Sequence, residues 1–165
     1  GLTIDHQYLR KNDRILWETV FEDAEIPVYD MQDGRYTTIF VKAGTILADA
    51  HLLESGNEGR LRFTYAHEYG HWVLHKSLFV GSEYLAAMVN GNENYVLSSE
   101  AGRSIERQAD LLAAAIIMPI TQIKRACYAL RCRGVNNGML VDQMAALFEV
   151  SNQAMHIRLK GHNLI

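Results

Sequence analysis

Cysteine is scarce. Cys127 and Cys132 are the only two in 165 residues, too few for a disulfide framework. Five positions apart on a stretch that reads as helix, they face different directions, so they are not expected to share a metal. They read as reduced thiols of a cytoplasmic protein. Long apolar runs are also absent. The longest, Leu111 to Met118, is far too short to span a bilayer, and no secretory signal is legible. The chain opens on Gly1 rather than Met, which leaves a removed leader open. There is no basic excess either. The net charge is -3, whereas a large nucleic-acid footprint usually shows as a surplus of Lys and Arg. Internal repeats and low-complexity segments are missing. What is present is 48% apolar residues, enough for a single core in one domain of ordinary size.

Read in order, the chain starts with a roughly helical pattern. Leu9, Ile15, Leu16, Val20 and Phe21 recur among charges between Asp5 and Glu22, with Asp13 placed to cap a helix from Arg14. Pro27 ends it, and Ile26-Pro27-Val28-Tyr29 reads as extended before the turn Gln32-Asp33-Gly34. Tyr36 to Val41 is the clearest strand, β-branched and aromatic. Thr45 to Asp49 follows the turn Lys42-Ala43-Gly44, so the two strands are expected to form a hairpin. Leu52 to Arg60 reads as a polar loop. A helix is predicted over Leu61 to Leu74, with Phe63, Ala66, Gly70, Val73 and Leu74 on its buried side. Gly70 costs about 1 kcal/mol of helix propensity relative to Ala, which suggests close approach by a neighbouring backbone or by the shell of a metal. Tyr95 to Ser98 reads as a strand. Ser104 is expected to cap a helix that runs to Met118 and stops at Pro119, with Leu111, Leu112, Ala115 and Ile116 as its apolar body. Three further helices are predicted over 121–131, 141–148 and 152–159. The loop Asn136-Asn137-Gly138 separates the first two, Ser151 caps the last, and Gly161 stops it.

The chemistry is concentrated in Ala66-His67-Glu68-Tyr69-Gly70-His71, an H-E-x-x-H pattern. Two imidazoles four residues apart lie on one face of a helix, about one turn from each other. Both can reach one small divalent cation, and Glu68 is placed to take a proton from water there. The pattern is common enough by chance that it decides nothing until a third ligand is found. Glu106 is the candidate. It opens Glu106-Arg107-Gln108-Ala109-Asp110 in an otherwise apolar helix. Glu106 and Asp110 share a face: the first can bind zinc, and the second can accept the outer N–H of a zinc-bound imidazole, fixing its tautomer. The plain alternative is two solvated acids at a helix start, where acids are favoured anyway. His75 lies one turn beyond His71, and reads either as a partner of the site or as a satisfied buried histidine. His51 precedes the polar loop with nothing to place it. Tyr65, Tyr69 and Tyr95 are the candidate donors for a developing oxyanion.

The stretch Arg62 to His75 resembles the signature helix of the ImmA/IrrE metallopeptidases. Glu106 to Pro119 is similar to that family's second signature, in which a zinc-binding Glu opens a helix that runs to a Met-Pro ending. Val150 to Leu159 resembles its C-terminal segment. The likeness covers about residues 60–165, with a weaker stretch over 26–50. It implies an α+β, zincin-like fold: a small antiparallel sheet packed on a zinc helix and a glutamate helix, with a helical C-terminal subdomain. The implied organisation is a metallopeptidase core over 1–119 and a helix-turn-helix-like part of the same domain over 120–165. The resemblance also implies His67, His71 and Glu106 as zinc ligands and Glu68 as general base. Its implied substrate is a helix-turn-helix repressor of stress-response or mobile-element genes. The chain departs from the family in the long stretch between His71 and Glu106, where 77–100 reads as an insertion bordering the cleft. It also has Tyr69 where Leu is frequent.

The expected mechanism follows from these parts. Zinc lowers the pKa of a water to roughly 7 and polarises a peptide carbonyl. Glu68 takes the proton and hands it to the leaving amine. A rival of another class is a zinc-bound sensor or protein-binding regulator with little protease activity. A third is DNA binding through Val141 to Leu159, which has helix-turn-helix spacing. There Glu149 stands where Gly is usual, and the last helix offers only Arg158 and Lys160 as cations, so packing on the core is the preferred reading.

Overall fold

The computed structural model describes residues 1–9, 17–54, 56, 58–80 and 100–165. Its elements run β1 (Thr3–Gln7), β2 (Trp17–Val20), β3 (Ala24–Asp30), β4 (Arg35–Val41), β5 (Thr45–Asp49), α1 (Ala50–Glu54), α2 (Glu58–Phe79), α3 (Glu100–Ile117), α4 (Ile120–Cys132), α5 (Asn137–Phe148) and α6 (Asn152–Gly161). The class is α+β, as expected.

All five residues of β5 are buried. A strand with no solvent face belongs in the middle of a sheet, and β5 lies between β1, which is parallel to it, and β2, which is antiparallel. The three-stranded sheet is therefore mixed. The hairpin expected between β4 and β5 does not form. Instead β4 pairs with β3, through a register that sets Ile26 opposite Ile39. Asp30 closes their turn, its Oδ1 accepting the N–H groups of Gln32 and Asp33 at 2.8 and 3.1 Å. Gly44, at φ +86°, then turns the chain into the other sheet. Its N–H donates to the Val20 carbonyl and its own carbonyl accepts the Thr3 N–H.

The helix expected between Arg14 and Glu22 is overturned where it can be seen. Trp17 to Val20 is strand β2, with Thr19 opposite Ile46. Aromatic and β-branched residues suit a pleated, half-buried surface, and β5 supplies a partner that local periodicity cannot reveal. Residues 10–16, with the Asp13 cap, lie outside the described residues, as does the predicted strand Tyr95 to Ser98. The polar loop expected over 52–60 is also corrected. Asp49 accepts the His51 N–H at 2.9 Å and so starts α1, while α2 already begins at Glu58.

Helix α2 buries a largely polar row: Thr64, Glu68, His71 and His75, with Ala66, Gly70 and Phe79. Val73 and Leu74, expected inside, are 52% and 45% exposed. Leu111 and Ile116 of α3 are exposed too, and its buried row is Ile105, Ala109 and Ala113. Small residues there let the two helices approach. A Cβ built on Gly70 would meet Ala109 Cα at 3.1 Å and its carbonyl oxygen at 3.3 Å, so of the two reasons expected for the helical glycine it is the neighbouring backbone that approaches. Phe21, which follows β2, stacks on Phe79 and Trp72 of α2.

Ser104 is not a cap. Helix α3 starts a turn earlier, at Glu100, and the Ser104 hydroxyl accepts from Gln108 Nε2 at 3.2 Å. At Pro119 the chain bends by 52° between α3 and α4. Met118, Ile123, Leu140, Met144, Met155 and Leu159 then form one fully buried cluster, with Ala114 and Ile117 of α3 packed on it. Asn136 caps α5 by accepting the Met139 N–H, so Asn137-Gly138 is its first turn rather than a loop. Ser151 caps α6 as expected, whereas Gly161 lies inside that helix and His162 ends it. No single helix among the described residues is long and apolar enough to cross a membrane.

Candidate metal centre

Helical spacing on α2 puts the two imidazoles of the H-E-x-x-H pattern side by side, their ring planes 70° apart. His67 Nε2 and His71 Nε2 are 2.9 Å apart. Across the α2–α3 contact, Glu106 brackets them, its Oε2 lying 3.3 Å from His67 Nε2 and its Oε1 3.4 Å from His71 Nε2. In a tetrahedral zinc site with nitrogen and oxygen at about 2.0–2.2 Å, ligand atoms lie about 3.3 Å from each other. The two Glu106 distances meet that spacing and the two imidazole nitrogens are a few tenths of an ångström closer, so with a small separation of the rings the three side chains fit a small divalent cation.

The partners of the outer nitrogens suit one proton arrangement. His67 Nδ1 lies 2.9 Å from Asp110 Oδ1. A carboxylate there accepts Nδ1–H and leaves the Nε2 lone pair for the centre. His71 Nδ1 faces His75 Nδ1 at 3.2 Å, and His75 Nε2 faces Gln108 Oε1 at 3.5 Å. One arrangement serves both: His71 donates from Nδ1, and His75 accepts there and donates from Nε2. His75 is 2% exposed, so it stands behind the centre rather than before a substrate. Gln108 was not anticipated; its position two residues after Glu106 was the available signal.

Electrostatics follow the same geometry. For Glu106 burial acts upward, but the hydrogen bonds and charges of His67 and His71 outweigh it and bring its pKa down to about 2. Burial alone would lower His67. Glu106, Glu68 and Asp110 around it prevail and hold it above the ordinary histidine value. Burial pushes Glu68 above the usual carboxylate range, against the Thr19 hydroxyl and the two imidazoles. Burial lowers His75.

Two details differ from expectation. Glu106 and Asp110 do not point into a buried face; their side chains are 39% and 57% exposed, at the open rim of the centre. Glu68, by contrast, is 5% exposed and accepts a hydrogen bond on Oε2 from the Thr19 hydroxyl of β2. Glu68 is also near enough to be a rival ligand, since His67, Glu68 and His71 offer three ligand atoms within 4.8 Å of one another. Glu106 reaches both Nε2 atoms, one through each carboxylate oxygen, at almost equal distance.

His51, Tyr65 and Arg158 are engaged elsewhere. His51 bonds Asp49 through Nδ1 at 2.7 Å, on a fully buried carboxylate that also accepts the Leu9 N–H. Tyr65 meets His6 Nε2 at 2.6 Å, a pairing no spacing announced. Tyr69 is on the exposed side of α2, and Tyr95 lies outside the described residues. Arg158, a candidate DNA contact, donates to the Met118 carbonyl at 3.0 Å. Met155 and Leu159 of α6 are buried in the C-terminal cluster, consistent with packing on the core.

No curated protein matches the chain. The Peptidase_M78 family, described as the IrrE N-terminal-like domain, matches residues 51–160. That match takes in the whole of α2 and α3 and both halves of the centre, and it starts just after the weaker 26–50 stretch. The chain belongs to this peptidase family, and its chemistry is that of a metallopeptidase-type hydrolase acting on protein.

Proposed function

We propose that the protein is a zinc-dependent endopeptidase of the cytoplasm that cleaves a helix-turn-helix repressor in a stress or mobile-element response. The observation that carries the enzymatic part is the convergence of His67 Nε2, His71 Nε2 and the Glu106 carboxylate at 2.9–3.4 Å. In this reading those three residues hold the metal, and Asp110 keeps the His67 proton on Nδ1. A zinc ion held there would acidify water and polarise a peptide carbonyl. Glu68 would take a proton from the attacking water and return it to the leaving amine. The open rim formed by Glu106 and Asp110 suits an extended peptide better than an enclosed small molecule. The core over 1–119 and the helical part over 120–165 belong to the same reading, as does the repressor substrate, which rests on the resemblance of the signatures. Two unpaired cysteines support the cytoplasmic assignment.

Glu68→Gln is expected to keep the metal and lose cleavage of a co-expressed repressor by about 100-fold or more, the usual worth of a general base. Zinc content and cleavage measured on one preparation check this. Undiminished cleavage by the variant removes Glu68 from the chemistry.

A further inference from the structure

We infer that Thr19 is the positioning residue that keeps Glu68 a base rather than a metal ligand. The inference rests on the peptidase reading above and extends it to a residue outside the signatures. Its ground is a competition visible in the centre. The Glu68 carboxylate lies with His67 and His71 in one group of potential ligand atoms, while Glu106 reaches the same two nitrogens from α3. Two carboxylates thus stand within reach of one cation, and only one can be spared for proton transfer. Thr19 separates the roles. Its hydroxyl donates to Glu68 Oε2, which engages one of the two carboxylate oxygens and ties the side chain to β2.

The hydroxyl is itself firmly placed. Thr19 is 9% exposed and sits on β2 opposite Ile46 of the fully buried β5. Strand alternation sends its neighbour Glu18 outward while Thr19 turns inward. Phe21, two residues on, is stacked on Phe79 and Trp72 of α2, so strand and helix are also tied together beside the contact. A buried carboxylate that loses its donor seeks another charge or hydrogen bond, and the nearest is the cation site.

The test compares Thr19→Val, which keeps shape and β-branching but has no hydroxyl, with Thr19→Ser, which keeps the hydroxyl. In crystals of zinc-loaded protein, Glu68 is expected at Thr19 in wild type and the Ser variant, and turned onto the metal in the Val variant. With internally quenched peptides of mixed sequence as probe, Thr19→Val should lower kcat about 10- to 100-fold, the worth of a hydrogen bond to a charged group. KM and zinc content should stay within about twofold, and Ser should restore kcat. If Thr19→Val does not fold, Thr19→Ala gives the same readout. An unmoved Glu68 carboxylate in the Val variant, or an unchanged kcat, overturns the inference. Zinc-loaded wild type that leaves all the peptides intact would count against the peptidase reading instead, and the orientation of Glu68 in the zinc-loaded crystals would still decide the role of Thr19; wild type that takes up no zinc overturns both.

Discussion

Glu106 and Asp110 are one helical turn apart, yet they touch different atoms of the centre. Glu106 meets the inner nitrogens of both histidines, and Asp110 meets the outer nitrogen of His67. This division gives Asp110 a specific consequence. Without it the His67 ring is free to carry its proton on Nε2, where a cation cannot bind. Asp110→Ala should therefore weaken zinc binding about 10- to 100-fold, the usual loss when the partner of a metal-binding histidine is removed. Competition against a chromophoric chelator measures it. Equal affinity would show that the His67 tautomer is set by something else. Because Asp110 is more than half exposed, its removal should leave overall stability almost unchanged, which separates this effect from misfolding.

Between elements, the contact that aligns the two halves of the centre is Gly70 against Ala109. Helix propensity alone predicts that Gly70→Ala stabilises α2 by about 1 kcal/mol. The added Cβ would meet Ala109 backbone at 3.1–3.3 Å, and backbone cannot move aside as a flexible side chain can. The account predicts a net loss of about 1–3 kcal/mol, the usual cost of overpacking, with weaker zinc binding as Glu106 is pushed away from His67 and His71. Urea unfolding checks the sign, and a gain in stability would contradict the packing argument. The same scale explains what could be read in advance. The spacing of His67, Glu68 and His71, and that of Glu106 and Asp110, is local and helical, so their shared faces followed from the chain alone. Thr19 could not be found that way, because Trp17 to Val20 is a strand only through pairing with β5. The β4–β5 hairpin was misjudged for the converse reason: neighbours in sequence usually pair, but β5 is buried along its whole length and takes the centre of a different sheet. Val73 and Leu74 were misplaced because the buried row of α2 is polar, shaped by the site rather than by the core.

For the whole molecule, the C-terminal cluster is built on the end of the helix that carries Glu106, with Ala114, Ile117 and Met118 packed against α4, α5 and α6. Arg158 and Arg62 add ties, to the Met118 carbonyl and to Glu149. The exposed Arg62–Glu149 pair contributes little by itself. Glu149 adopts the left-handed conformation, φ 53° and ψ 48°, which a non-glycine residue adopts only under pressure from its surroundings; here Ala145 and Val150 close the turn by a backbone hydrogen bond. A cation held between α2 and α3 would bind only the folded chain, so its removal must lower stability by mass action. Chelation of the zinc-loaded protein should reduce the unfolding free energy by about 4 kcal/mol if free zinc stood at 1,000 times Kd. Thermal unfolding with and without chelator measures this, and coincident curves would show that no metal contributes to the fold. The central claim is narrower: that His67, His71 and Glu106 together hold one zinc. Its most direct test is zinc per chain after dialysis, wild type and Glu106→Gln side by side. The account predicts one zinc in the first and little in the second, whereas equal zinc in both, or none in wild type even after zinc is added back, would contradict it.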